Sequence, residues 1–265
     1  MSELWAGVSR VWAAYKQPLR PGDAVAAQMR TLVAADTAET LLLGVTPELS
    51  RLGRTLTAID INPAMIGVVW PGDTATHRVL QGNWLDMPLK DASVDAVVGD
   101  GALCVVGGQE ARRALLAQVA RVLRPGGRAA IRLFARPEAD TSVDDVVADG
   151  LAGRITTTSE LVMRIFYAMA RSAPDYVLVY RDVYDLVESK FPDRAPLMRA
   201  CGFVDADFAF VDFYKNSDSI SSWYPAALAV EEASQFFEEV CLVPTSGYAQ
   251  AERCPILYLA KPRGS

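Results

Sequence analysis

A regular exchange of short apolar runs and helix-like segments between Thr40 and Phe134 is the feature that most constrains the fold. The apolar runs predict five strands, at residues 40–43, 56–59, 78–80, 94–99 and 129–134. Apolar residues at helical spacing over 109–123 predict the helix that joins the last two strands, and the following Arg-Pro-Gly-Gly ends it. Because strands that alternate with helices form βαβ units, the sequence predicts an α/β fold with a mostly parallel sheet and helices on both faces.

The rest of the chain is less regular and flanks this central stretch. We expect an N-terminal helical or lid segment over 1–35, the core domain over 36–136, and a helical or mixed region over 137–265. The last region is expected to supply the substrate side and the final strands. Its patterns predict helices at 142–152, 159–171 and 182–190, a strand-like stretch at 202–213, a helix and loop in 220–242, and a last strand at 255–260.

Charge and hydropathy narrow the class of function. The chain has 265 residues, of which 51% are hydrophobic, and this is enough for a full core. Acidic residues outnumber Lys and Arg by 32 to 26, for a net charge of -6, whereas binding of nucleic acid phosphates needs clustered positive charge. No apolar run approaches the roughly 20 residues of a membrane span. We therefore expect a soluble protein that acts on a small molecule or a protein, with no nucleic acid or membrane partner; the sequence leaves the oligomeric state open.

The four cysteines, Cys104, Cys201, Cys241 and Cys254, are far apart and form no Cys-x-x-Cys pair. That spacing predicts buried free thiols in a reducing compartment, with neither a disulfide framework nor a metal site. The first fifteen residues lack the basic start and the continuous apolar run of a secretory signal. We therefore expect a cytoplasmic protein.

Glycine and polar residues follow the predicted strands, which is where ligands bind in open α/β sheets. Gly44 follows the first strand, and glycine there allows a tight turn and a close approach to a ligand. Asp60 ends the second strand 16 positions later, near the spacing at which dinucleotide-binding folds place the acid that binds ribose hydroxyls. The two positions predict a nucleoside-binding site, although Asp60 before Asn62 and Pro63 also suits a turn or a helix start.

Two further strand ends add candidate ligand contacts. Asn83, Trp84 and Leu85 follow the third strand, where an aromatic ring can pack on adenine and an amide can hydrogen-bond its edge. Asp100 and Gly101 follow the fourth strand, where a carboxylate can attract a cationic group of a ligand. The alternatives are ordinary packing for Trp84 and a simple Asp-Gly turn.

Four segments together carry a family resemblance: Ala58-Ile59-Asp60-Ile61-Asn62-Pro63-Ala64-Met65, Gln81-Gly82-Asn83-Trp84-Leu85-Asp86-Met87-Pro88-Leu89, Ser93-Val94-Asp95-Ala96-Val97-Val98, and Leu123-Arg124-Pro125-Gly126-Gly127-Arg128. In order and spacing they resemble class I S-adenosylmethionine-dependent methyltransferases, over about residues 40–135. The resemblance implies a Rossmann-like sheet, S-adenosylmethionine as the cofactor and S-adenosylhomocysteine as the product.

The resemblance implies a set of cofactor contacts at the strand ends, namely Gly44, Val45, Thr46, Asp60, Ile61, Met65, Asn83, Trp84, Leu85, Asp100 and Gly101. Asp60 would hold both ribose hydroxyls. Ile61 and Met65 would pack near the adenine, together with the residues after the third strand. Asp100 would face the methionine end of the cofactor.

The loop after the first strand departs from the family pattern. Members usually carry Gly-x-Gly-x-Gly there, whereas this chain has Gly44-Val45-Thr46-Pro47-Glu48 and keeps only the first glycine. The Cβ atoms of Thr46 and Glu48 are expected to narrow the pocket. Because a pyrophosphate needs a closer backbone approach, the missing glycines count against a nicotinamide-dependent dehydrogenase more than against a methyltransferase.

The sequence therefore predicts methyl transfer from S-adenosylmethionine to a small-molecule acceptor by in-line displacement. Such a reaction depends on proximity and alignment, so no catalytic residue is assigned; Asp100, Tyr15 or a C-terminal residue would serve if the acceptor needs a base. A catalytically inactive cofactor-binding protein and a nicotinamide-dependent dehydrogenase are the alternatives. Aromatic residues after position 136 are expected to line an apolar acceptor pocket or to build the core of that region: Phe166, Tyr167, Phe213, Tyr214, Trp223, Tyr224 and Tyr248.

Overall fold

The structure is a computed structural model and describes residues 3–137 and 141–263. Within these residues the centre is a seven-stranded sheet. The predicted ends of the first four strands agree with the structure within one residue, whereas β5 begins at Leu123 and not at 129. The strands are β1 (Glu39–Leu43), β2 (Thr55–Asp60), β3 (His77–Gln81), β4 (Val94–Asp100), β5 (Leu123–Arg132), the short pair β6 (Val177–Val179) and β7 (Ile220–Ser222), β8 (Phe237–Val243) and β9 (Ile256–Pro262).

The strand order of the large sheet is β3-β2-β1-β4-β5-β9-β8. The first five strands in this order pair in parallel, and β9 runs antiparallel to both of its neighbours. The dinucleotide-binding order 3-2-1-4-5-6 has no antiparallel strand inserted beside its fifth strand. The chain therefore has the predicted α/β, Rossmann-like fold, in a mixed seven-stranded form. Strand order reverses between β1 and β4, which is where such sheets bind ligands.

Helices cover both faces of the sheet and build the region beyond it. The helices predicted at 109–123, 142–152, 159–171 and 182–190 are present. In chain order the helices are α1 (Glu3–Arg10), α2 (Asp23–Leu32), α3 (Pro63–Val69), α4 (Ala102–Val105), α5 (Gln109–Val122), α6 (Val143–Leu151), α7 (Thr158–Ala170), α8 (Tyr180–Lys190), α9 (Ala195–Cys201), α10 (Ala209–Asp212) and α11 (Ala226–Ala233).

The side chains of the parallel strands alternate between two buried layers. Leu41 and Leu43 of β1 pack in the layer that includes residues of α5 and α11, whereas Leu42 packs in the layer that includes residues of α2 and α3. A third cluster, rich in aromatic rings, fills the region built by α6 to α10. The sheet is thus buried on both faces, which holds its strand ends in fixed positions.

A buried ion pair joins α5 to α11. Arg112 donates from Nε and Nη2 to the two carboxylate oxygens of Glu232, at 2.9 and 2.8 Å, and both side chains are at most 1% exposed. The guanidinium carbon also lies 4.1 Å from the ring centre of Tyr224. Asp175 accepts a further hydrogen bond from Arg112 Nη2 at 3.3 Å. The two helices are therefore tied by a charge pair that water does not reach.

The prediction of a strand-like stretch at 202–213 is wrong. The structure has a short 3-10 helix over Asp205–Phe208, followed directly by α10. Phe208 and Val211 are buried three positions apart, and Phe210 and Tyr214 four positions apart, which is helical spacing. Between Phe203 and Phe213, aspartates separate the apolar residues, so that apolar and polar residues partly alternate as in a strand. The buried positions nevertheless have helical spacing.

The prediction for 220–242, a helix and a loop, is correct for α11 but misses β7 and β8. The less exposed positions of β8 are Phe237, Val240 and Val243, which are three apart. That spacing suggests a continuing helix and hides the strand. β8 lies at the edge of the sheet and pairs only with β9 among the described strands.

Two of the four thiols differ from the expectation of burial. Cys104 and Cys254 are buried, whereas Cys201 is half-buried and Cys241 is exposed on the edge strand β8. All four are free thiols. Across residues 3–137 and 141–263, every helix is too short or too polar to cross a membrane.

Candidate functional site

The carboxyl ends of β1, β2, β3 and β4 open into one cleft with a volume of about 430 Å³. Ten of the eleven strand-end residues singled out from the sequence line it. They are Gly44, Val45, Thr46, Asp60, Ile61, Met65, Asn83, Trp84, Leu85 and Asp100. The eleventh, Gly101, does not: it precedes α4, and a Cβ there would lie 2.5 Å from the ring of Phe134. Its backbone, with φ at +63°, turns the chain away from β4.

Gly44 occupies the position at which the chain leaves β1. Its φ is +95°, which side chains other than glycine rarely adopt. A Cβ at this position would lie 3.6 Å from Trp84 Cζ2 and 3.9 Å from Asp60 Oδ2. Glycine therefore keeps open the space between the aromatic ring and the carboxylate, as expected of a residue beside a ligand.

The backbone carbonyl of Ile59, at the end of β2, accepts two hydrogen bonds that shape the floor of the cleft. One comes from the Gly44 N–H at 2.8 Å, and the other from the indole Nε1 of Trp84 at 2.6 Å. The loop after β1 and the aromatic residue after β3 are thus fastened to the same atom. The position of the Trp84 ring follows from this bond as well as from packing.

Asp60 ends β2 with its carboxylate at the cleft. Oδ1 accepts a hydrogen bond from the Asn62 N–H at 2.8 Å, and Oδ2 is the oxygen that faces Gly44. Burial raises the pKa of Asp60 from 3.8 to about 6, although the bond from Asn62 lowers it. Asn62 also begins α3, because its side chain accepts from the N–H groups of Ala64 and Met65 at 2.9 and 3.3 Å. The turn after β2 therefore both starts a helix and presents a carboxylate.

The apolar residues around Asp60 are open to the cleft. Ile61 is 55% exposed, which is unusual for so large an apolar side chain directly after a buried strand. Met65, one turn into α3, lies on the same cleft. Asn83 is exposed, and its Oδ1 accepts from the Leu85 N–H at 3.0 Å, so part of the amide already holds the local turn. Ile61 and Met65 therefore provide an apolar wall next to the carboxylate.

The structure corrects the interpretation of Asp100 as an open negative charge. Both of its oxygens accept from the fully buried Arg132 on β5, one from Nε and the other from Nη2, the latter at 3.0 Å. Arg132 also donates from Nη1 to the Tyr248 hydroxyl at 3.2 Å. Because the guanidinium already neutralises the carboxylate, Asp100 offers the cleft little net charge. Arg132 carries no signal in the sequence, since it lies within the otherwise apolar stretch 129–134.

Glu48, the last residue of the glycine-poor loop, does not lie where the sequence predicts. Thr46 lines the cleft, but Glu48 does not; its carboxylate accepts from Arg20 Nε at 2.5 Å. The expectation that the Cβ of Glu48 narrows the pocket is therefore wrong. Arg20 comes from the N-terminal segment, between α1 and α2, so this ion pair ties that segment to the loop.

The cleft also has walls that sequence reasoning did not assign to it. They come from the N-terminal segment, from the last residue of β1, from the residue before α3, from α4 and its C-terminal end, and from β7 with the residue before it: Trp12, Leu43, Asn62, Val105, Val106, Ser219 and Ile220. Trp12 belongs to the N-terminal segment, residues 1–35, that the sequence predicts to be helical or a lid. Leu43 ends β1, and Asn62 stands in the segment after β2 that carries the family resemblance. The remaining residues carry no motif, and β7 pairs only with β6 in the described part of the chain, so tertiary structure alone brings them here.

The aromatic residues after position 136 build a core and not an acceptor pocket. None of the seven lines the cleft, and Phe166, Tyr167, Tyr214, Trp223 and Tyr224 are at most 4% exposed. The rings pack on one another; Phe166 and Trp223, for example, stack at 4.4 Å. The pocket interpretation of these residues is therefore wrong, and the cleft is bounded on that side by Ser219 and Ile220.

Tyr15 is also excluded as a base that faces the cleft. Its hydroxyl is buried against that of Tyr214, with the two oxygens 2.9 Å apart. Burial holds the pKa of Tyr15 far above its ordinary value, and the hydrogen bond to Tyr214 offsets this only in part. Its ring instead stacks on Trp12, with ring centres 5.6 Å apart. Tyr15 therefore supports a residue of the cleft.

The family model described as a methyltransferase domain matches residues 44–131, from the glycine after β1 to the next-to-last residue of β5. No curated protein matches the sequence. The sheet is Rossmann-like, and the cleft lies at the strand ends where such sheets bind ligands. Residues 44–131 therefore carry a methyltransferase domain, and this domain is S-adenosylmethionine-dependent.

Solved structures that resemble the chain share its fold at low sequence identity. A SAM-dependent methyltransferase of Thermotoga maritima, described as a possible histamine N-methyltransferase, has a TM-score of 0.53 and 13% identity over 98% of this chain and 99% of its own. The N-methyltransferase NodS of Bradyrhizobium japonicum, solved with S-adenosylhomocysteine, has a TM-score of 0.51 and 13% identity over 95% of this chain and 92% of its own.

A third similar structure carries a different description. A Rhodobacter sphaeroides protein, provisionally assigned to the Zn-dependent alcohol dehydrogenases, has a TM-score of 0.58 and 13% identity over 99% of this chain and 97% of its own. At this identity the likeness shows the fold alone, because one fold supports many chemistries. Among the described residues of this chain, no three His, Cys, Asp or Glu side chains form a group that could hold a metal ion.

Proposed function

We propose that the chain transfers the methyl group of S-adenosylmethionine to a small-molecule acceptor by in-line displacement, with the cofactor bound in the cleft at the ends of β1 to β4. The observation that carries the proposal is the placement of Asp60: its Oδ2 faces the glycine that follows β1, and the indole of Trp84 lies beside the same glycine. A carboxylate, a backbone without Cβ and an aromatic ring suit a ribose, its chain and an adenine.

The dimensions and lining of the cleft support a small ligand. Its volume of about 430 Å³ lies within the range of small-molecule sites, roughly 300–1,000 Å³. The lining also includes the apolar side chains of Val105, Val106 and Ile220 and the ring of Trp12. An acceptor bound there would lie between the cofactor and these side chains.

The part of this chain in the proposed reaction is to bind, align and exclude water. The cofactor would supply a methyl group that is already activated by its sulfonium. Asp60 would fix the ribose, the Gly44 to Thr46 loop would lie along the cofactor, and Ile61 and Met65 would cover the adenine. Such alignment is worth up to about 7–11 kcal/mol in favourable systems. Asp100, neutralised by Arg132, is better suited to hold the end of β4 in place than to accept a proton.

Asp60→Ala is expected to weaken binding of S-adenosylhomocysteine by about tenfold or more, because the ribose hydroxyls would lose their acceptor; tenfold corresponds to about 1.4 kcal/mol. Isothermal titration calorimetry on the folded protein measures this. Asp36→Ala is the matched control, since Asp36 is an exposed acid in a surface ion pair. Failure of the folded wild-type protein to bind would refute cofactor binding, and equal binding by Asp60→Ala would refute the role of Asp60.

The raised pKa of Asp60 predicts that cofactor affinity depends on pH. The ionised carboxylate accepts hydroxyl hydrogen bonds better than the protonated form, so affinity is expected to be constant at neutral pH and to fall as the pH drops through about 6. Folding has the opposite dependence: the ligand-free folded state holds this proton more tightly than the unfolded chain, so its contribution to stability falls as the pH rises from 3.8 to about 6. Calorimetric titrations across this range, with Asp60→Asn as a variant expected to be independent of pH, test the prediction.

The class of acceptor is tested by fractionation. Purified protein with radiolabelled S-adenosylmethionine is incubated with small-molecule, protein and RNA fractions of a cell extract, and transferred label is counted. Label is expected in the small-molecule fraction and to be reduced in Asp60→Ala. Label confined to protein or RNA would overturn the acceptor class, and binding of the cofactor with no transfer to any fraction would favour a catalytically inactive cofactor-binding protein.

A further inference from the structure

The end of the cleft at β4 has apolar side chains that the proposed cofactor contacts do not use. In the sheet β1 lies between β2 and β4, so the ends of β2 and β4 are two strand spacings apart, about 10 Å. α4 follows β4 after a single residue, and its contacts with β5 and β7 place it on the side of β4 away from β2. Val105 ends α4, and both Val105 and Val106 line the cleft. The two valines therefore lie at the other end of the cleft from Asp60.

Ile220 of β7 extends this apolar surface, and the turn after α4 is shaped to receive it. A Cβ on Gly107 would lie 2.6 Å from Ile220 Cδ1, so glycine lets the side chain pack directly on the backbone that follows Val106. The Gly108 N–H donates to Ser222 Oγ at 2.7 Å and fastens the same turn to β7. Ile220 nevertheless remains 41% exposed and lines the cleft. We call Val105, Val106 and Ile220 the β4 wall; such an open apolar surface in a cleft suits an apolar ligand.

The charges of the cleft restrict what can bind beside the β4 wall. Within the described residues, Asp60 and Asp100 are the ionisable side chains of the lining. Both oxygens of Asp100 are paired with the buried Arg132, so the charge that remains is that of Asp60, at the other end. An anion at the β4 wall would find no cationic side chain in the described lining, and a cation would meet the sulfonium of the cofactor. Because a charge that leaves water without a partner is strongly disfavoured, the wall suits a group without charge.

We propose that the methyl acceptor is an uncharged molecule whose apolar part packs on the β4 wall, against Val105, Val106 and Ile220. The inference rests on the proposed function, since it names the class of acceptor for the same reaction. A lone pair of the acceptor forms the new bond to the methyl carbon. The bond from that carbon to sulfur breaks with its electrons passing to sulfur, which becomes neutral.

This electron balance narrows the class of acceptor atom. The positive charge passes from sulfur to the acceptor, which releases a proton to water where the attacking atom carries hydrogen. The attacking atom must hold a free lone pair while the acceptor is uncharged. Weakly basic ring nitrogens and arylamines meet this condition, whereas an alkylamine is protonated at neutral pH, as lysine is. The class is therefore apolar molecules with a weakly basic nucleophile.

The first test divides possible acceptors by charge. The small-molecule fraction of a cell extract is separated at neutral pH into compounds that a cation exchanger retains, compounds that an anion exchanger retains, and compounds that neither retains. Each fraction is incubated with the purified protein and radiolabelled S-adenosylmethionine, and transferred label is counted after removal of the cofactor. Label is expected mainly in the compounds that neither exchanger retains. Transfer mainly to compounds retained by either exchanger would overturn the inference and leave the proposed function standing.

The second test places a charge in the β4 wall. Ile220→Asp is expected to lower transfer at limiting concentrations of the unretained compounds by about tenfold or more, while binding of S-adenosylhomocysteine stays within about threefold of the wild-type protein. The loss should shrink as the compounds are concentrated, because it is a loss of acceptor binding. Ile220→Val, which keeps an apolar side chain, should retain most of the transfer. Leu242→Asp is the matched control, since Leu242 is a strand residue that is 37% exposed and lies outside the lining of the cleft.

The outcomes separate this inference from the proposed function. If the folded wild-type protein does not bind S-adenosylhomocysteine, or transfers label to no fraction, both are overturned. If transfer occurs and Ile220→Asp performs as well as Leu242→Asp, only the place of the acceptor at the β4 wall is overturned. If Ile220→Asp loses affinity for S-adenosylhomocysteine as strongly as it loses transfer, Ile220 serves the cofactor and not the acceptor, and the inference is again wrong.

Discussion

Arg112→Ala is expected to lower the free energy of unfolding by about 3–5 kcal/mol, because it leaves the carboxylate of Glu232 buried without its partner. Arg112 and Glu232 are paired through two hydrogen bonds at 2.9 and 2.8 Å, and water reaches neither side chain. The melting temperature is expected to fall by roughly 10 °C for a chain of this length. Thermal or urea unfolding followed by circular dichroism measures the change.

The matched control for this prediction is Arg30→Ala. Arg30 is also paired with an acid, Asp36, but the two side chains are 52% and 70% exposed. Exposed pairs of this kind contribute about 1 kcal/mol or less. A second variant, Arg112→Met with Glu232→Leu, removes both charges and should recover much of the loss. If Arg112→Ala is no less stable than Arg30→Ala, the pair contributes nothing to the packing of α11 against the sheet.

Asp100→Ala should destabilise the fold by a similar amount, about 3–5 kcal/mol, since it leaves the guanidinium of Arg132 buried without its carboxylate and with the Tyr248 hydroxyl as the acceptor for its Nη1. Unfolding experiments measure this loss directly. The double variant Asp100→Leu with Arg132→Met is expected to regain most of the stability, because no unpaired charge remains.

The same double variant tests what Asp100 does in the cleft. If the carboxylate is committed to Arg132, the double variant should bind S-adenosylhomocysteine within about threefold of the wild-type protein. A loss of about tenfold or more, in a variant whose stability has been restored, would mean that Asp100 contacts the ligand in spite of the ion pair. The interpretation of Asp100 as mainly structural would then be wrong.

The central fold could be predicted because its signals are local. β1, β2 and β4 each contain a short apolar run, and α5 has buried residues at helical spacing. The region beyond β5 was less predictable, because its elements are defined by contacts between distant residues. Phe203 to Phe213 alternates like a strand, yet it forms helical turns on an aromatic core; β8 has helical spacing, yet it forms an edge strand against β9.

The cleft was predictable to the extent that it is built from strand ends. Gly44, Asp60 and Trp84 each follow a parallel strand, and parallel strands deliver their carboxyl ends to one edge of the sheet. Arg132 and Trp12 were not predictable as parts of the site. Nothing in an apolar run shows that an arginine faces a carboxylate on the next strand, and nothing near the N-terminus shows which side chain reaches a cleft formed by distant residues.

The two hydrogen bonds to the Ile59 carbonyl bear on the entropy of ligand binding. A loop with three glycines samples many backbone conformations and loses them when a ligand orders it. In this chain the loop has Val45, Thr46 and Pro47 after its single glycine, and these residues have fewer backbone conformations than glycine. The carbonyl of Ile59 also holds both the loop and the Trp84 ring before any ligand binds. Ligand binding therefore has little of the loop left to order, and the entropic cost of binding is smaller. The same stiffness limits adaptation, and molecules with an outline different from that of the cofactor should be rejected by shape.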